Sequence, residues 1–317
     1  MRVVVIGANG FIGRVTCRTL AERGHIVTAV IRRHDIKHLA GARRVLYIDD
    51  AGPEEDWVPV VEATDAIVHL VSPAWDDAID ETRLAEYRRV IVDGTEALAR
   101  AAAAAGTARL VFVSTIKVNG EATVDRPFTP ESTPAPETEY GRIKLEAENA
   151  LRATYTSHGP PLTVVRPAAV YGPGNAGNIN LMVNLFRRLP GWLVPLGDIN
   201  NRRAIIYVEN LASAITRCCE DKSRKERLFL LHDGTMVTTS EMCRAILVAL
   251  GKPPALAPDP GDLIQGLTRI IAPSVAQRLH GSLEVEDDGI KRELEWHAPF
   301  SFEQGIATTV ASDDSRD

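Results

Sequence analysis

Short runs of apolar, largely β-branched residues alternate along this sequence with longer segments of helical character. The runs include RVVVIG, HIVTAVI and RLVFVST, and helical patterns cover residues 12–23, 84–105 and 140–153. Continuous apolar runs of this length are typical of parallel strands buried on both faces. Because parallel strands need long crossover connections, which are usually helices, the alternation predicts a doubly wound α/β domain around a parallel sheet.

The size and charge of the chain limit its partners. It has 317 residues, a formal net charge of −6, 45% hydrophobic and 25% charged residues. Such a length allows one large α/β unit or a domain with a smaller companion. Negative net charge opposes general affinity for nucleic acid or anionic membranes. We therefore expect a small-molecule ligand and no nucleic-acid partner.

The N-terminal sequence and the cysteines bear on the cellular compartment. MRVVVIGANG does not resemble a secretion signal, and no apolar run approaches the roughly 18 residues that a membrane span needs. The four cysteines, Cys17, Cys218, Cys219 and Cys243, fall in helix-like patterns without metal-ligand or disulfide-framework spacing. We expect reduced structural thiols, no metal site, no membrane span and a cytoplasmic location.

A glycine motif stands between the first predicted strand and the first helix. Gly7, Gly10 and Gly13 have the spacing G-x-x-G-x-x-G, a variant of the more familiar G-x-G-x-x-G. Glycines permit a tight turn and close approach of the backbone to a pyrophosphate, while the helix N-terminus supplies donors and positive potential. The context predicts a Rossmann dinucleotide-binding domain; the alternative is a glycine-rich turn without a ligand.

The domain boundaries follow from a change of character after Val170. The next 33 residues, from Tyr171 to Arg203, are dense in Gly, Pro and Asn, which predicts irregular structure lining a site. AIIYVENLASAITRCC then restores a strand and a helix. We predict a dinucleotide-binding domain over 1–170, with 204–222 returning to it, and a smaller α/β substrate-binding domain over 171–203 and 223–310. Residues 311–317 are predicted to be a disordered tail.

The end of the second predicted strand bears on the choice of cofactor. NAD-binding chains usually place an acid there on the ribose 2′-hydroxyl, whereas this chain has Arg32 and Arg33. Guanidinium groups suit a 2′-phosphate, so NADP is favoured over NAD. The alternative is that both arginines are solvated and Asp35 binds the ribose. Asp50, after the third strand, is predicted to contact adenine.

Tyr140 and Lys144 lie four residues apart on a predicted helix and therefore share one face. Tyrosine, with an ordinary pKa of about 10, exchanges protons poorly at neutral pH unless a cation lowers that pKa. Ser114 and Thr115 end a strand, where ligands bind in doubly wound sheets. We predict hydride transfer between nicotinamide and a carbinol or carbonyl carbon. Tyr140 would exchange the proton, Thr115 would bind the same oxygen, and Lys144 would lower the Tyr140 pKa and hold the nicotinamide ribose. The alternative is a solvated helix face.

These motifs occur in a characteristic order: Gly7-x-x-Gly10-x-x-Gly13, DAIVHLV, VDGT, VSTIKVNG, Tyr140-x-x-x-Lys144 and RPAAVYGPG. The sequence thereby resembles the extended short-chain dehydrogenase/reductase family, the NAD-dependent epimerase/dehydratase group, over nearly its whole length. Within the family it looks most like the UDP-glucose 4-epimerase-like C4 reductases of bacterial O-antigen synthesis. Those enzymes act on UDP-4-keto-6-deoxy-N-acetylhexosamines.

The resemblance implies site residues and a homodimer. Thr115, Tyr140 and Lys144 would be catalytic, and Ser114 would lie near the nicotinamide. The other implied cofactor contacts are Gly7, Asn9, Gly10, Phe11, Ile12, Gly13, Leu70 and Pro167. The implied substrate contacts are Asn178 or Asn180, Arg203 on the diphosphate, and Arg278 as a second candidate for the same charge. Asn178 shaping a loop and Arg203 pairing with a local acid are the alternatives. Dimerisation would use the helices at 84–105 and 140–153.

Departures from the family pattern help to choose among reactions. A 4,6-dehydratase usually has an Asp-Glu pair after the catalytic Thr, whereas Ile116 and Lys117 stand here, so dehydration is not expected. Ile91 replaces a usual Asn, and HLVSPAWDD replaces a more common HLAA pattern. We predict a C4 reductase; a 4-epimerase that keeps NAD bound is the alternative. A carbonyl reductase of non-sugar ketones and a non-catalytic NADP-sensing protein also remain open.

Overall fold

A parallel sheet of seven strands forms the centre of the molecule. The computed structural model describes residues 1–32, 38–72, 80–155, 161–175, 177–258, 266 and 273–313. In order across the sheet, the strands are β3 (Arg44–Ile48), β2 (Ile26–Arg32), β1 (Arg2–Ile6), β4 (Ala66–His69), β5 (Arg109–Val113), β6 (Leu162–Pro167) and β9 (Arg227–Leu231). All neighbouring pairs are parallel, which confirms the predicted doubly wound Rossmann fold.

In the part of the chain that the structure describes, helices cover both faces of this sheet and also pack beyond it. The helices are α1 (Phe11–Glu22), α2 (Val58–Val61), α3 (Glu81–Arg88), α4 (Gly94–Ala104), α5 (Glu139–Tyr155), α6 (Asn178–Arg188), α7 (Val208–Cys219), α8 (Thr239–Ala249), α9 (Pro273–His280), α10 (Gly289–Leu294) and α11 (Phe302–Asp313). Strands β7 (Ala169–Tyr171) and β8 (Ile205–Tyr207) form a separate parallel pair.

Alternation along the strands feeds two cores. Val3 and Val5 of β1 point to one face, where they join residues of α1 and α7, whereas Val4 and Ile6 join residues of α4 and α5 on the other. The helices therefore pack in two layers because each buries one apolar stripe against the sheet. A third core joins α6, α8 and α11 to β7 and β8.

Three predicted boundaries are corrected by the strand pairing and by α11. Residues 227–231 were assigned to the smaller domain, yet β9 pairs with β6 and completes the main sheet. The main sheet was predicted to extend with its domain to residue 170, yet the chain leaves that sheet after Pro167, and β7 pairs with β8 instead. Residues 311–313 belong to α11 and are not a tail, because this helix buries Val310 against the third core. Residues 314–317 lie outside the described part of the chain.

The helical segment over 81–104 contains a π-helical turn, Arg89–Asp93, between α3 and α4. Directly after it, a Cβ on Gly94 would lie 1.9 Å from the carbonyl oxygen of Ala51, so only glycine allows this approach. Ile91, at the position where the family usually has Asn, is 1% exposed and packs in the core between the sheet and α4. Across the described residues, no helix is both long and apolar enough to span a bilayer.

Candidate active site

The glycine turn after β1 is shaped to approach a ligand closely. Gly7 has φ +84°, and its N–H donates to the Val30 carbonyl at 3.0 Å. A Cβ on Gly13 would lie 2.3 Å from the Gly7 carbonyl oxygen, so α1 packs on the turn only because Gly13 has no side chain. Gly10 is the N-cap of α1, and within the described chain no side chain caps it. The first-turn N–H groups thus fit the pyrophosphate of a dinucleotide.

The remaining predicted contacts of this turn lie around it. A Cβ on Gly7 would come within 3.2 Å of the Leu70 carbonyl carbon, which places the end of β4 directly beside the turn. Asn9 is exposed, and its carbonyl accepts a hydrogen bond from Arg14 at 2.9 Å. Phe11 and Ile12, at the start of α1, are half-buried and pack against the third core.

At the end of β2, Arg32 is exposed and its positive charge acts on the carboxylate of Asp50. Asp50 forms an ion pair with Arg89 and accepts the Ala51 N–H at 2.7 Å. Burial acts to raise the pKa of Asp50, but the hydrogen bonds from Arg89 and Ala51 outweigh it and hold the pKa below its ordinary value. The predicted adenine contact is therefore an anion held by arginine.

The carboxyl ends of β4, β5 and β6 converge with α5. Tyr140 lies near the start of α5, and its hydroxyl oxygen is 3.4 Å from Ser72 Oγ. Ser114 Oγ donates to Glu148 of α5 at 2.5 Å, and Ser114 N–H donates to the Val165 carbonyl at 2.7 Å. Pro167, a predicted cofactor contact, is buried at the end of β6, two residues further along the strand.

Lys144 is buried beneath this edge, with 1% of its surface exposed. Its Nζ donates to the Val113 carbonyl at 2.8 Å and lies 4.2 Å from the centre of the Phe112 ring. Burial lowers the pKa of Lys144 to about 7, and the negative charge of Glu148 acts in the opposite direction. Beside it, burial and then the charge of Lys144 lower the pKa of His69 to about 3.

The electrostatics of Tyr140 differ from the prediction. Burial raises the pKa of its hydroxyl, and the hydrogen bond with Ser72 opposes that rise. The pKa of Tyr140 therefore lies above its ordinary value, opposite to the predicted lowering. The physical reason is desolvation, because burial removes the water that would stabilise the phenolate.

Thr115 lies where the sheet edge meets a large cavity. Its Oγ accepts the Lys117 N–H at 3.3 Å, which starts a short 3₁₀ turn over Ile116–Val118. The cavity has a volume of about 1390 Å³, and Thr115 is part of its wall. Its other walls come from β7, β8 and α6, together with the segments around Arg203 and Leu279.

Two of the predicted substrate residues, Arg203 and Asn180, have different surroundings. Arg203 lines the cavity, and its Nη1 donates to the Gly281 carbonyl at 3.0 Å. Asn180, in contrast, donates its amide to the carbonyl of Asn175, so it holds the loop before α6. Asn175 itself lines the cavity, and its amide donates to the Val170 carbonyl at 2.6 Å.

Some predicted contacts cannot be compared with this geometry because they lie outside what the structure describes. This applies to the residues Arg33 and Asp35 and to the side chains of Asn178 and Arg278.

Sequence reasoning missed two residues near the site, Ser72 and Asn175. Ser72 lies in HLVSPAWDD, which was noted only as a departure from the family pattern, and Asn175 lies in the Asn-rich loop. The available signal was that each lies shortly beyond a strand, Ser72 in the segment after β4 and Asn175 in the segment after β7, because ligands bind at the carboxyl ends of parallel strands.

A model of the NAD dependent epimerase/dehydratase family matches residues 3–230. The chain belongs to this family. Membership confirms the resemblance inferred from the motifs, and the chain is an NAD-dependent enzyme of the short-chain dehydrogenase/reductase type.

Relatives within the family differ in their substrates. A UDP-glucose 4-epimerase from Vibrio cholerae is 31% identical over 313 residues, which cover 97% of this chain and 94% of the relative. A ceramide reductase from Caulobacter vibrioides is 28% identical over 269 residues, which cover 83% of this chain and 76% of the reductase. Family membership therefore leaves the substrate to be argued from the site.

Among solved structures, MoeE5 in complex with UDP-glucose and NAD superposes with a TM-score of 0.78. The two chains are 23% identical, and the match covers 100% of this chain and 99% of MoeE5. At this identity the likeness establishes the shared epimerase/dehydratase fold.

Proposed function

We propose that the protein reduces the C4 ketone of a UDP-4-keto-6-deoxy-N-acetylhexosamine, with Tyr140 as the proton donor. The observation that carries this proposal is the convergence of β4, β5 and α5 at one edge of the sheet, with Thr115 in the wall of the adjoining cavity. Reduction of a ketone needs a proton donor within hydrogen-bond reach of the carbonyl oxygen, and a tyrosine at this edge suits that task.

In this proposal each side chain has one task. A bound nicotinamide dinucleotide supplies the hydride. Thr115 donates its hydroxyl hydrogen to the carbonyl oxygen, and Tyr140 transfers its phenolic proton to the same oxygen. Lys144 uses one of its three ammonium hydrogens on the Val113 carbonyl, so two others can hold the nicotinamide ribose.

The preference for NADPH rests on the end of β2. Arg32 is exposed there, and Arg33 follows it in the sequence. Asp50, the carboxylate that was predicted to contact adenine, is bound by Arg89. A positive end of β2 favours a 2′-phosphate over a bare ribose hydroxyl, and a reductase of this kind exchanges its cofactor at every turnover.

Arg203 and the relatives support the proposal that the substrate carries a UDP group. A guanidinium in the cavity wall suits the diphosphate, because arginine binds phosphate oxygens in a bidentate manner. The V. cholerae relative acts, by its name, on UDP-glucose, and MoeE5 was solved with UDP-glucose and NAD. We also propose that the chain forms a homodimer through the helices at 84–105 and 140–153.

A second candidate is a UDP-sugar 4-epimerase that retains NAD. The specific observation in its favour is the 31% identity to the V. cholerae UDP-glucose 4-epimerase over 97% of this chain. The same three side chains would serve both reactions, since an epimerase also moves a hydride and a proton at C4.

One assay separates the two candidates. The purified protein is mixed with UDP-4-keto-6-deoxy-N-acetylglucosamine and either NADPH or NADH, and the absorbance of the reduced nicotinamide is followed. The proposal predicts rapid loss with NADPH and little with NADH. No loss with either would refute the reductase, and C4 epimerisation of UDP-glucose and UDP-N-acetylglucosamine with NAD would then be measured.

The role of Tyr140 is tested with Tyr140→Phe and the matched variant Tyr155→Phe, which removes a hydroxyl from the far end of the same helix. We expect Tyr140→Phe to lower kcat by about 100-fold or more while leaving the Kd for the cofactor within about twofold. Tyr155→Phe should keep its activity. Equal rates for Tyr140→Phe and the unmodified protein would rule out Tyr140 as the proton donor.

A further inference from the structure

A buried cluster of charged and polar side chains lies directly beneath the proposed catalytic edge. Glu148 of α5 is fully buried and accepts hydrogen bonds at 2.9 and 2.6 Å from Nε and Nη2 of Arg166, which is 1% exposed. The remaining contact of the Glu148 carboxylate on the sheet side is Ser114 Oγ, at 2.5 Å. Arg166 also donates to Asn119 Oδ1 at 2.9 Å. One carboxylate thus joins α5 to the ends of β5 and β6.

Glu148, at the centre of this cluster, is connected to Lys144 in two ways. Lys144 and Glu148 are four residues apart on α5, so their side chains lie on one face of the helix. The acceptor of the Lys144 ammonium is the Val113 carbonyl, and Ser114, the next residue, is the one that Glu148 holds. The position of the acceptor and the charge near the ammonium therefore both depend on Glu148.

The charges around Lys144 make Glu148 important for its protonation. The described groups facing Lys144 are His69 from β4, the Phe112 ring and the Val113 carbonyl from β5, and Glu148 on its own helix. Glu148 in turn faces Arg166 from β6, Ser114 from β5 and Arg152 on α5, at 3.5 Å. Burial lowers the pKa of Lys144 to about 7, and Glu148 is the group that opposes this lowering.

We propose that Glu148 is a positioning residue that holds the Val113–Ser114 segment against Lys144 and favours the protonated form of the Lys144 amine. Arg166 orients the carboxylate by binding both of its oxygens. The inference deepens the proposed function, on which the role of Lys144 in turnover rests. Its test, however, can be made without turnover.

The experiment titrates the lysine Nζ groups by ¹⁵N NMR in protein labelled at its seven lysines, with Lys144→Met to assign the Lys144 signal. The variants are Glu148→Gln, the double variant Glu148→Gln/Arg166→Gln, and Glu146→Gln as a control. Glu146 is on the same helix but pairs at the surface with Arg88. The double variant keeps the test valid if Glu148→Gln does not fold, because it also removes the buried Arg166 charge that the single variant leaves without its carboxylate.

The expected result is an ordered series. Glu148→Gln should lower the pKa of Lys144 by about one pH unit or more, since a buried opposite charge is removed while Arg166 stays. The double variant should lower it less, and Glu146→Gln should leave it unchanged. An unaltered Lys144 titration in both Glu148 variants would overturn the proposal.

A kinetic readout separates this inference from the proposed function. If Lys144 acts as an ammonium in turnover, the basic limb of the pH profile of kcat should move to lower pH by the same amount in Glu148→Gln. Inactivity of the unmodified protein on the keto-sugar would refute the proposed function, whereas the NMR series would still decide the role of Glu148. A shift in the NMR titration with an unmoved pH profile would refute the catalytic part alone.

Discussion

Lys144 should make the stability of the protein depend on pH in the alkaline range. Burial lowers its pKa from 10.5 to about 7, although Glu148 acts in the opposite direction. The unfolded chain keeps the ordinary value, so between these two pH values it binds one proton more than the native state. The free energy of unfolding therefore rises with pH in that window.

The magnitude follows from the difference between the two pKa values. Each pH unit is worth about 1.4 kcal/mol, so holding the protonated ammonium in its buried position costs about 5 kcal/mol at pH values below 7. That cost declines through the window and vanishes above pH 10.5. Lys144→Met has no such titration, and its other losses, including the hydrogen bond to the Val113 carbonyl, do not vary with pH.

The assay is urea unfolding of the unmodified protein and Lys144→Met at pH 6, 7, 8 and 9. The difference in the free energy of unfolding should be flat below pH 7 and then grow in favour of the unmodified protein by about 1.4 kcal/mol per pH unit. Lys291→Met, at an exposed lysine in α10, is the control and should give a constant difference. A constant difference for Lys144→Met as well would refute the burial argument.

Two further predictions concern the cofactor site. Gly13→Ala places a Cβ 2.3 Å from the Gly7 carbonyl oxygen, so we expect the Kd for nicotinamide dinucleotides to rise by about tenfold or more, measured by fluorescence titration. A Kd within twofold would contradict the steric argument. Arg32→Ala should weaken NADPH binding by about tenfold and leave NADH unchanged, because only NADPH carries the 2′-phosphate. Arg100→Ala, at a surface arginine of α4 that pairs with Glu96, is the control. Equal losses for both cofactors in Arg32→Ala would contradict a 2′-phosphate contact.

Local signals in the sequence were sufficient for the overall fold class and for the glycine turn. Apolar runs separated by helical patterns indicate parallel strands because the crossover between them needs a helix. Gly13 could be placed at the turn for a similar reason. Only a few residues connect β1 to α1, so the spacing between Gly7 and Gly13 fixes where both lie. Both inferences depend on residues close together in sequence.

Other features depend on residues far apart in sequence, and these only the tertiary structure decided. The apolar sequence at 227–231 would suit a strand of the main sheet or of a smaller domain. Only its pairing with β6 assigns it to the main sheet. Glu148 looks like one more solvated helix carboxylate in the sequence, yet Arg166 and Ser114 enclose it.

The proton equilibria at the candidate site were decided in the same way. The spacing of Tyr140 and Lys144 predicted that they share a helix face, and α5 includes both. That spacing says nothing about desolvation, which raises the pKa of Tyr140 and lowers that of Lys144. Sequence thus determined which groups are present and how they follow one another along the helix. Packing of β4, β5 and β6 against α5 decided how far each group is removed from water, and hence its charge.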